Sequence, residues 1–438
     1  MPVRPLAVIC LAIALMSPPA VAQPPDPDDP STDSAQQIYE LGRFAAIYQR
    51  ILSNYVDEPD PRKLIEAAID GMVGSLDPHS RYVDARAFRD MQRELTGKFA
   101  GLGIEVSLDN GAIVVKHALE DSPAAKAGLL AGDIILSIDG TPLRSMSLDD
   151  VLKKMQGAEG TTARLSIQRA GRPVAFDLDI TRAIIATETV QFQELGRDVG
   201  YIRIVEFDDN TFGSLHKATV KLQADIKPKD LKGYIVDLRN NPGGLLDQAI
   251  TVSAGFVGKG VVVSVRGRDP NLAKIFIANG ADLIGDKPVI VLINGGTASA
   301  AEIVAGALQD LKRATILGTR SFGKGSVQTV SRLADESALI LTTARYYTPL
   351  GRSIQAEGIE PDILILQSDA EAYSVVHRTS GEAGLAGHLK ARDGEEEGGG
   401  SSFYVPVDAR NDTQLNAALD LLRGLRLNPA FPPRRLTQ

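Results

Sequence analysis

Pro288 to Ile293 is an unbroken apolar run of strand length. It ends in a glycine turn, Asn294-Gly295-Gly296, that passes straight into a helix-forming segment reaching Leu311. Lys232 to Leu238 repeats the arrangement, with the turn Arg239-Asn240-Asn241-Pro242-Gly243-Gly244 and then a helix pattern from Leu245 to Val257. A strand with no polar alternation has to be covered on both faces, which requires a sheet with helices packed against it. Further strand patterns at Val199 to Val205, Val261 to Val265, Thr315 to Gly318 and Ala338 to Thr343 extend the sheet. An α/β core over 183–370 is the expectation.

Chemistry concentrates where the first of these units turns. Thr297-Ala298-Ser299-Ala300-Ala301-Glu302 places a serine at a helix start, where unpaired N–H groups and the positive end of the helix dipole favour developing negative charge. Downstream, Arg320-Ser321-Phe322-Gly323-Lys324-Gly325-Ser326-Val327-Gln328 sets a lysine between two glycines. A serine hydroxyl becomes a competent nucleophile when a neighbouring base takes its proton, and a neutral lysine can be that base. Lowering an amine from about 10.4 to roughly 7 to 8 requires on the order of 4 kcal/mol of burial cost. Ser299-Ala300-Ala301-Glu302 equally fits a capping box, in which serine and glutamate only satisfy helix-end donors.

NGGTASAAEI and SFGKGSVQ resemble the two signature blocks of the carboxyl-terminal processing peptidases, or tail-specific proteases, which are serine proteases with a Ser-Lys dyad. The resemblance implies that Ser299 is the nucleophile, Lys324 the general base and Gln328 the residue that orients the lysine. It also implies an oxyanion hole made by Gly243 or Gly244 with the N–H of Ala300, and a crotonase-like core of stacked ββα units. The chain departs from the pattern at Thr297 and Ala301, neither of which carries chemistry. Tyr346-Tyr347-Thr348-Pro349, Gly351-Arg352-Ser353-Ile354 and Gly358-Ile359-Glu360-Pro361-Asp362 match a further block, expected to shape the cleft. Leu76 to Tyr82 resembles a loop motif of the same family, in which His79 reads as a turn histidine bonded to backbone rather than a base.

Residues 98–182 differ in character, with short alternating strands and glycine turns. Gly101-Leu102-Gly103-Ile104, the helix-like Ser122 to Leu129, Gly132 to Gly140 and a helix at Ser147 to Met155 fall in the order of a PDZ domain, which this stretch resembles. Gly101, Leu102, Gly103 and Ile104 would then offer backbone N–H groups to a terminal carboxylate while the next strand pairs with an extended peptide. A PDZ domain that packs internally and binds nothing is the alternative.

The remainder frames these parts. Arg4, the apolar Leu6 to Met16 and Ala20-Val21-Ala22 read as a signal peptide over 1–22, which implies a periplasmic or secreted protein; an uncleaved inner-membrane anchor is the other option. Cys10 is the only cysteine and lies within that segment, so the mature chain has none for disulfides or metal. A Pro/Asp-rich tether follows over 23–34, then a helical region over 35–97 with Ile38, Leu41, Phe44, Ala45, Tyr48, Ile51 and Leu52 on one stripe. Beyond the core, 371–402 reads as a flexible linker. Within the extension 403–438, Asp412 to Leu425 patterns as an amphipathic helix with Leu415, Ala418, Leu419, Leu422 and Leu425 on one face. A net charge of −8 and the lack of a basic run argue against nucleic acid. The five histidines show no HExxH spacing and GKGS at 323–326 lacks the glycine spacing of a P-loop, so neither a metal nor any other cofactor is expected. No GxSxG elbow surrounds Ser299. The expected function is a serine endopeptidase that takes protein C-termini through its PDZ domain and processes cell-envelope proteins. Expected partners are substrates with nonpolar C-termini, an envelope adaptor and further copies of the chain; the alternative is an idle PDZ scaffold binding tails.

Overall fold

The computed structural model describes residues 32–95, 98–109, 111–119, 122–144, 146–186, 188–280, 282–368, 380–392, 396 and 400–433. The signal segment 1–22 and nearly all of the tether 23–34 lie outside the described residues. The chain divides into two compact units, Met1–Asp70 and Gly71–Gln438. The first contains the helix Thr32–Asn54, whose Ile38, Leu41, Phe44 and Ile47 are exposed. A second helix, Pro61–Gly74, begins in it. Among the described residues no helix is long and apolar enough to cross a membrane.

In the second unit the apolar runs form a six-stranded sheet in the order Val190–Leu195, Val199–Ile204, Gly233–Asp237, Val289–Ile293, Thr315–Gly318 and Ile363–Leu364. The first pair is antiparallel and the rest are parallel. Because side chains alternate across a strand, the uninterrupted apolar sequence loads both faces. Val289, Val291 and Ile293 pack with the helices Thr211–Asp225, Leu246–Val257 and Ala300–Asp310, while Ile290 and Leu292 pack against the C-terminal helix Thr413–Arg423. That last helix completes the second layer with Leu415, Ala418 and Leu422. Leu425, expected on the same face, is instead exposed, because Gly424 adopts a left-handed conformation and ends the helix before it.

A buried ion cluster fixes this helix in place. The Arg239 guanidinium donates to Asp237 at 2.6 Å and pairs with Asp412 at 2.8 Å. Asp412 is also the N-cap of the helix, accepting from the Leu415 N–H at 3.0 Å. Burial pushes the Asp237 carboxyl up, but the Arg239 charge and hydrogen bonds outweigh it and hold the group below its ordinary value.

A second sheet joins Arg81–Val83, Ala338–Tyr347, Lys259–Gly267 and Lys274–Asn279, with Ser326–Arg332 paired to Ala338–Tyr347. The third carries the PDZ pattern: Ile104–Asp109, Ala112–Ala118, Ile134–Ile138, Thr162–Gln168 and Phe176–Thr181 around a core that includes Ile113, Ile135, Val151 and Leu165. Lys98–Gly101 and Ala183–Ala186 form an antiparallel ribbon where the chain enters and leaves it, so the small domain is an insertion. Part of the stretch 371–402 is not a linker: residues 380–392 include the 3-10 helix Glu382–Gly384, and Glu382 is buried.

Candidate active site

Two turns that follow the parallel strands interlock to make the site. Asn294 accepts from the N–H groups of Asn240 at 2.9 Å and Gly296 at 3.0 Å, and Thr297 donates its hydroxyl to the Leu238 carbonyl at 2.8 Å. The Ala298 N–H reaches the Asn241 carbonyl at 2.9 Å. Held at both ends, Ser299 takes φ 54° and ψ −116°, a conformation that costs a residue bearing a Cβ about 1–3 kcal/mol. The residue is half-buried at the mouth of the helix Ala300–Asp310.

Gly243 and Gly244 lie against the serine. A Cβ on Gly243 would come within 2.8 Å of the Ser299 Cβ and 3.0 Å of the Ala300 nitrogen, and one on Gly244 within 2.1 Å of the Phe207 carbonyl oxygen. Only glycine allows this approach, and both adopt positive φ. The Gly243 N–H is already engaged, donating to Asn241 Oδ1 at 2.8 Å. Among the hydrogen bonds of the described residues, the N–H groups of Gly244 and Ala300 have no acceptor. Two free donors therefore flank the serine.

Glu302 links the serine to the lysine loop. Its Oε2 accepts from the Ser299 N–H at 2.8 Å and from the Lys324 N–H at 2.9 Å, while Oε1 accepts from the Gly323 N–H at 2.7 Å and the Ser321 hydroxyl at 2.5 Å. Sharing one oxygen caps the separation of the Ser299 and Lys324 nitrogens at the sum of those two contacts. The side chain is fully buried, and desolvation pushes its carboxyl up to about 7 against the four donors. From sequence this glutamate signals only a cap; its bonds to residues 321–324 arise from the tertiary fold.

Lys324 is half-buried, and among the described residues its Nζ makes no hydrogen bond or ion pair within 4.0 Å. Burial lowers its amine from the ordinary value, opposed by Glu382, Glu302 and Asp77 and reinforced by Arg81. Gln328 does not bond the lysine: its amide donates to Ser326 Oγ at 3.0 Å and Thr342 Oγ1 at 3.1 Å. His79 is also not bonded to backbone through its ring, as the sequence suggested. Its Nε2 lies 2.8 Å from a carboxylate oxygen of Glu382, a partner 303 positions away that no local pattern marks.

In the inserted domain, Leu102 is buried and Gly103 has φ 72°, with the carbonyls of both tied to Ala124 and Leu119 N–H groups at 3.0 Å. Among the described residues, Ile104–Asp109 lies at the end of its sheet and pairs only with Ala112–Ala118. One edge is left for an added strand.

Comparison with known proteins gives concordant matches. A family model described as peptidase family S41 matches residues 198–365, one described as PDZ domain matches 114–169, and one described as activating protease CtpB N-terminal domain matches 14–87. A carboxy-terminal-processing protease of Bartonella bacilliformis is 50% identical over 404 residues, spanning 92% of this chain and 93% of the relative. A probable CtpA-like serine protease of Staphylococcus haemolyticus is 34% identical over 339 residues, spanning 77% of this chain and 67% of the relative. The solved structure of the photosystem II D1 C-terminal processing protease is 31% identical and covers 75% of this chain and 94% of that one, with a TM-score of 0.44.

Proposed function

The chain belongs to the carboxy-terminal-processing proteases of peptidase family S41, and on that premise we propose that it cleaves peptide bonds with a Ser299–Lys324 dyad. The observation that carries the reading is the shared Glu302 oxygen, which joins the backbone of both residues. Neutral Lys324 takes the hydroxyl proton as Ser299 Oγ bonds to the scissile carbonyl carbon and the carbonyl electron pair moves onto oxygen. The N–H groups of Gly244 and Ala300 receive that oxyanion, each donor being worth a few kcal/mol in such a site. Gly244 is preferred to Gly243 because the Gly243 N–H is spent on Asn241. The C–N bond then breaks as the lysine ammonium protonates the leaving amine. Water attacks the acyl-enzyme, gives its proton to Lys324 and frees Ser299. Gln328 orients the lysine once its amide is released from Ser326 and Thr342.

Substrates are proteins with nonpolar C-termini. The N–H groups of the Gly101-Leu102-Gly103-Ile104 loop hold the terminal carboxylate, and the tail adds as a strand along Ile104–Asp109. The signal-like residues 1–22 support an extracytoplasmic location, with envelope proteins as substrates and an envelope adaptor and a homo-oligomer as its setting. The crotonase-like description of the core belongs to the same reading.

The test compares the mature protein with Ser299→Ala and Lys324→Ala on denatured casein. Cleavage is expected from the unmodified protein alone, and equal cleavage by all three would remove the dyad. Tail binding without cleavage by any of them would leave the idle scaffold.

A further inference from the structure

Glu382 sits in the 380–392 segment, yet its side chain is only 1% exposed. The carboxylate contacts His79 Nε2 at 2.8 and 3.0 Å and accepts from Gln355 Nε2 at 2.9 Å. Its backbone N–H donates to the Phe322 carbonyl at 2.9 Å. Gln355 in turn uses Oε1 to accept from the Gly325 N–H at 3.1 Å, and the neighbouring Ala356 N–H donates to the Gly323 carbonyl at 2.9 Å. Phe322 and Gly325, on either side of Gly323-Lys324, are thus both held by Glu382, one directly and one through Gln355. Burying a carboxylate is costly, and packing alone is served as well by an apolar side chain of similar volume.

We propose that Glu382 is a positioning residue for the Ser299–Lys324 reaction, clamping the lysine loop through its own backbone and through Gln355 and pairing there with His79. This rests on the dyad reading above. The clamp has an electrostatic consequence. The charged groups acting on the Lys324 amine are Glu382, Arg81 on the strand Arg81–Val83, Glu302 on the helix Ala300–Asp310 and Asp77, and the imidazole of His79 is bonded to Glu382. Among them Glu382 pulls most strongly toward the ammonium form. Losing its charge makes the amine easier to deprotonate.

Three variants separate position from charge. Glu382→Gln keeps the volume and removes the charge; Gln355→Ala cuts the link to Gly325 and leaves the charge; Glu382→Ala does both. On denatured casein, the acidic limb of kcat/KM against pH is expected to move to lower pH in Glu382→Gln and to stay in place in Gln355→Ala. A misplaced lysine costs up to about 100-fold in kcat, so Gln355→Ala and Glu382→Ala are expected to lose about 10- to 100-fold with little change in KM. The amine is also read without catalysis, by mass-spectrometric labelling of Lys324 with an amine reagent across pH in Ser299→Ala, alone and with Glu382→Gln. The labelling midpoint is expected to fall in the double variant. An unmoved limb and midpoint in the Glu382→Gln proteins, or kcat within twofold of the unmodified value in Gln355→Ala, overturns the assignment. Should Ser299→Ala cleave as fast as the unmodified protein, the dyad reading fails instead, and the labelling still decides whether Glu382 acts on the amine.

Discussion

Replacing Ser299 with glycine should make the protein more stable while ending its activity. At φ 54° and ψ −116°, a residue with a Cβ stores about 1–3 kcal/mol. Glycine adopts this conformation freely, although its extra freedom in the unfolded chain returns about 0.5–1 kcal/mol. The net gain is about 1 kcal/mol. Ser299→Ala is the control, since it also lacks the hydroxyl but keeps the Cβ and the strain. For a cooperative unit of about 150–250 residues, 1 kcal/mol corresponds to about 2–4 °C in melting temperature. Thermal unfolding followed by circular dichroism suits a chain with no tryptophan. Glycine melting at or below alanine would refute the idea that the turn stores strain. The expected outcome is a trade of stability for a serine aimed between two free N–H groups.

Other substitutions probe the rest of the site. Gly244→Ala places a Cβ 2.1 Å from the Phe207 carbonyl oxygen; the backbone must move, and kcat should fall about 100- to 1000-fold, as on loss of one oxyanion donor. Glu302→Ala strips the acceptor from the N–H groups of Ser299, Gly323 and Lys324, at about 1–3 kcal/mol each. Denaturant unfolding and casein cleavage should both report the loss, and an unchanged midpoint with full activity would contradict the clamp. Asp237→Asn breaks the buried pair with Arg239 and should cost about 3–5 kcal/mol near neutral pH. Because the native Asp237 carboxyl lies below its ordinary value, its contribution is present above about pH 4 and is lost as pH falls further. The asparagine variant should therefore show a flatter acid limb in stability against pH.

Strands and their order of burial were legible because apolar continuity is local. Val289–Ile293 and Gly233–Asp237 form where the runs stand, and each is followed by its turn and helix. The serine and lysine blocks were legible for a related reason, since a helix start after a glycine turn and a lysine between glycines are features of adjacent residues. Glu302 was visible only as a cap, because three of its four donors belong to residues 321–324. Nothing around Glu382 distinguished it from a surface carboxylate in a polar stretch.

Apolar continuity thus determined a doubly covered sheet, whereas the small domain and the serine and lysine segments were marked by their resemblance to the PDZ domain and to the carboxyl-terminal processing peptidases. Folding decided which glycine keeps a free N–H, what Gln328 and His79 bond to, and which acids face the lysine. Those outcomes depend on where separate turns cross, and a contact such as His79 with Glu382 spans 303 positions. Helix and strand signals arise from neighbours within a few residues, whereas the electrostatics of a buried amine sum over every charge the tertiary packing brings near it.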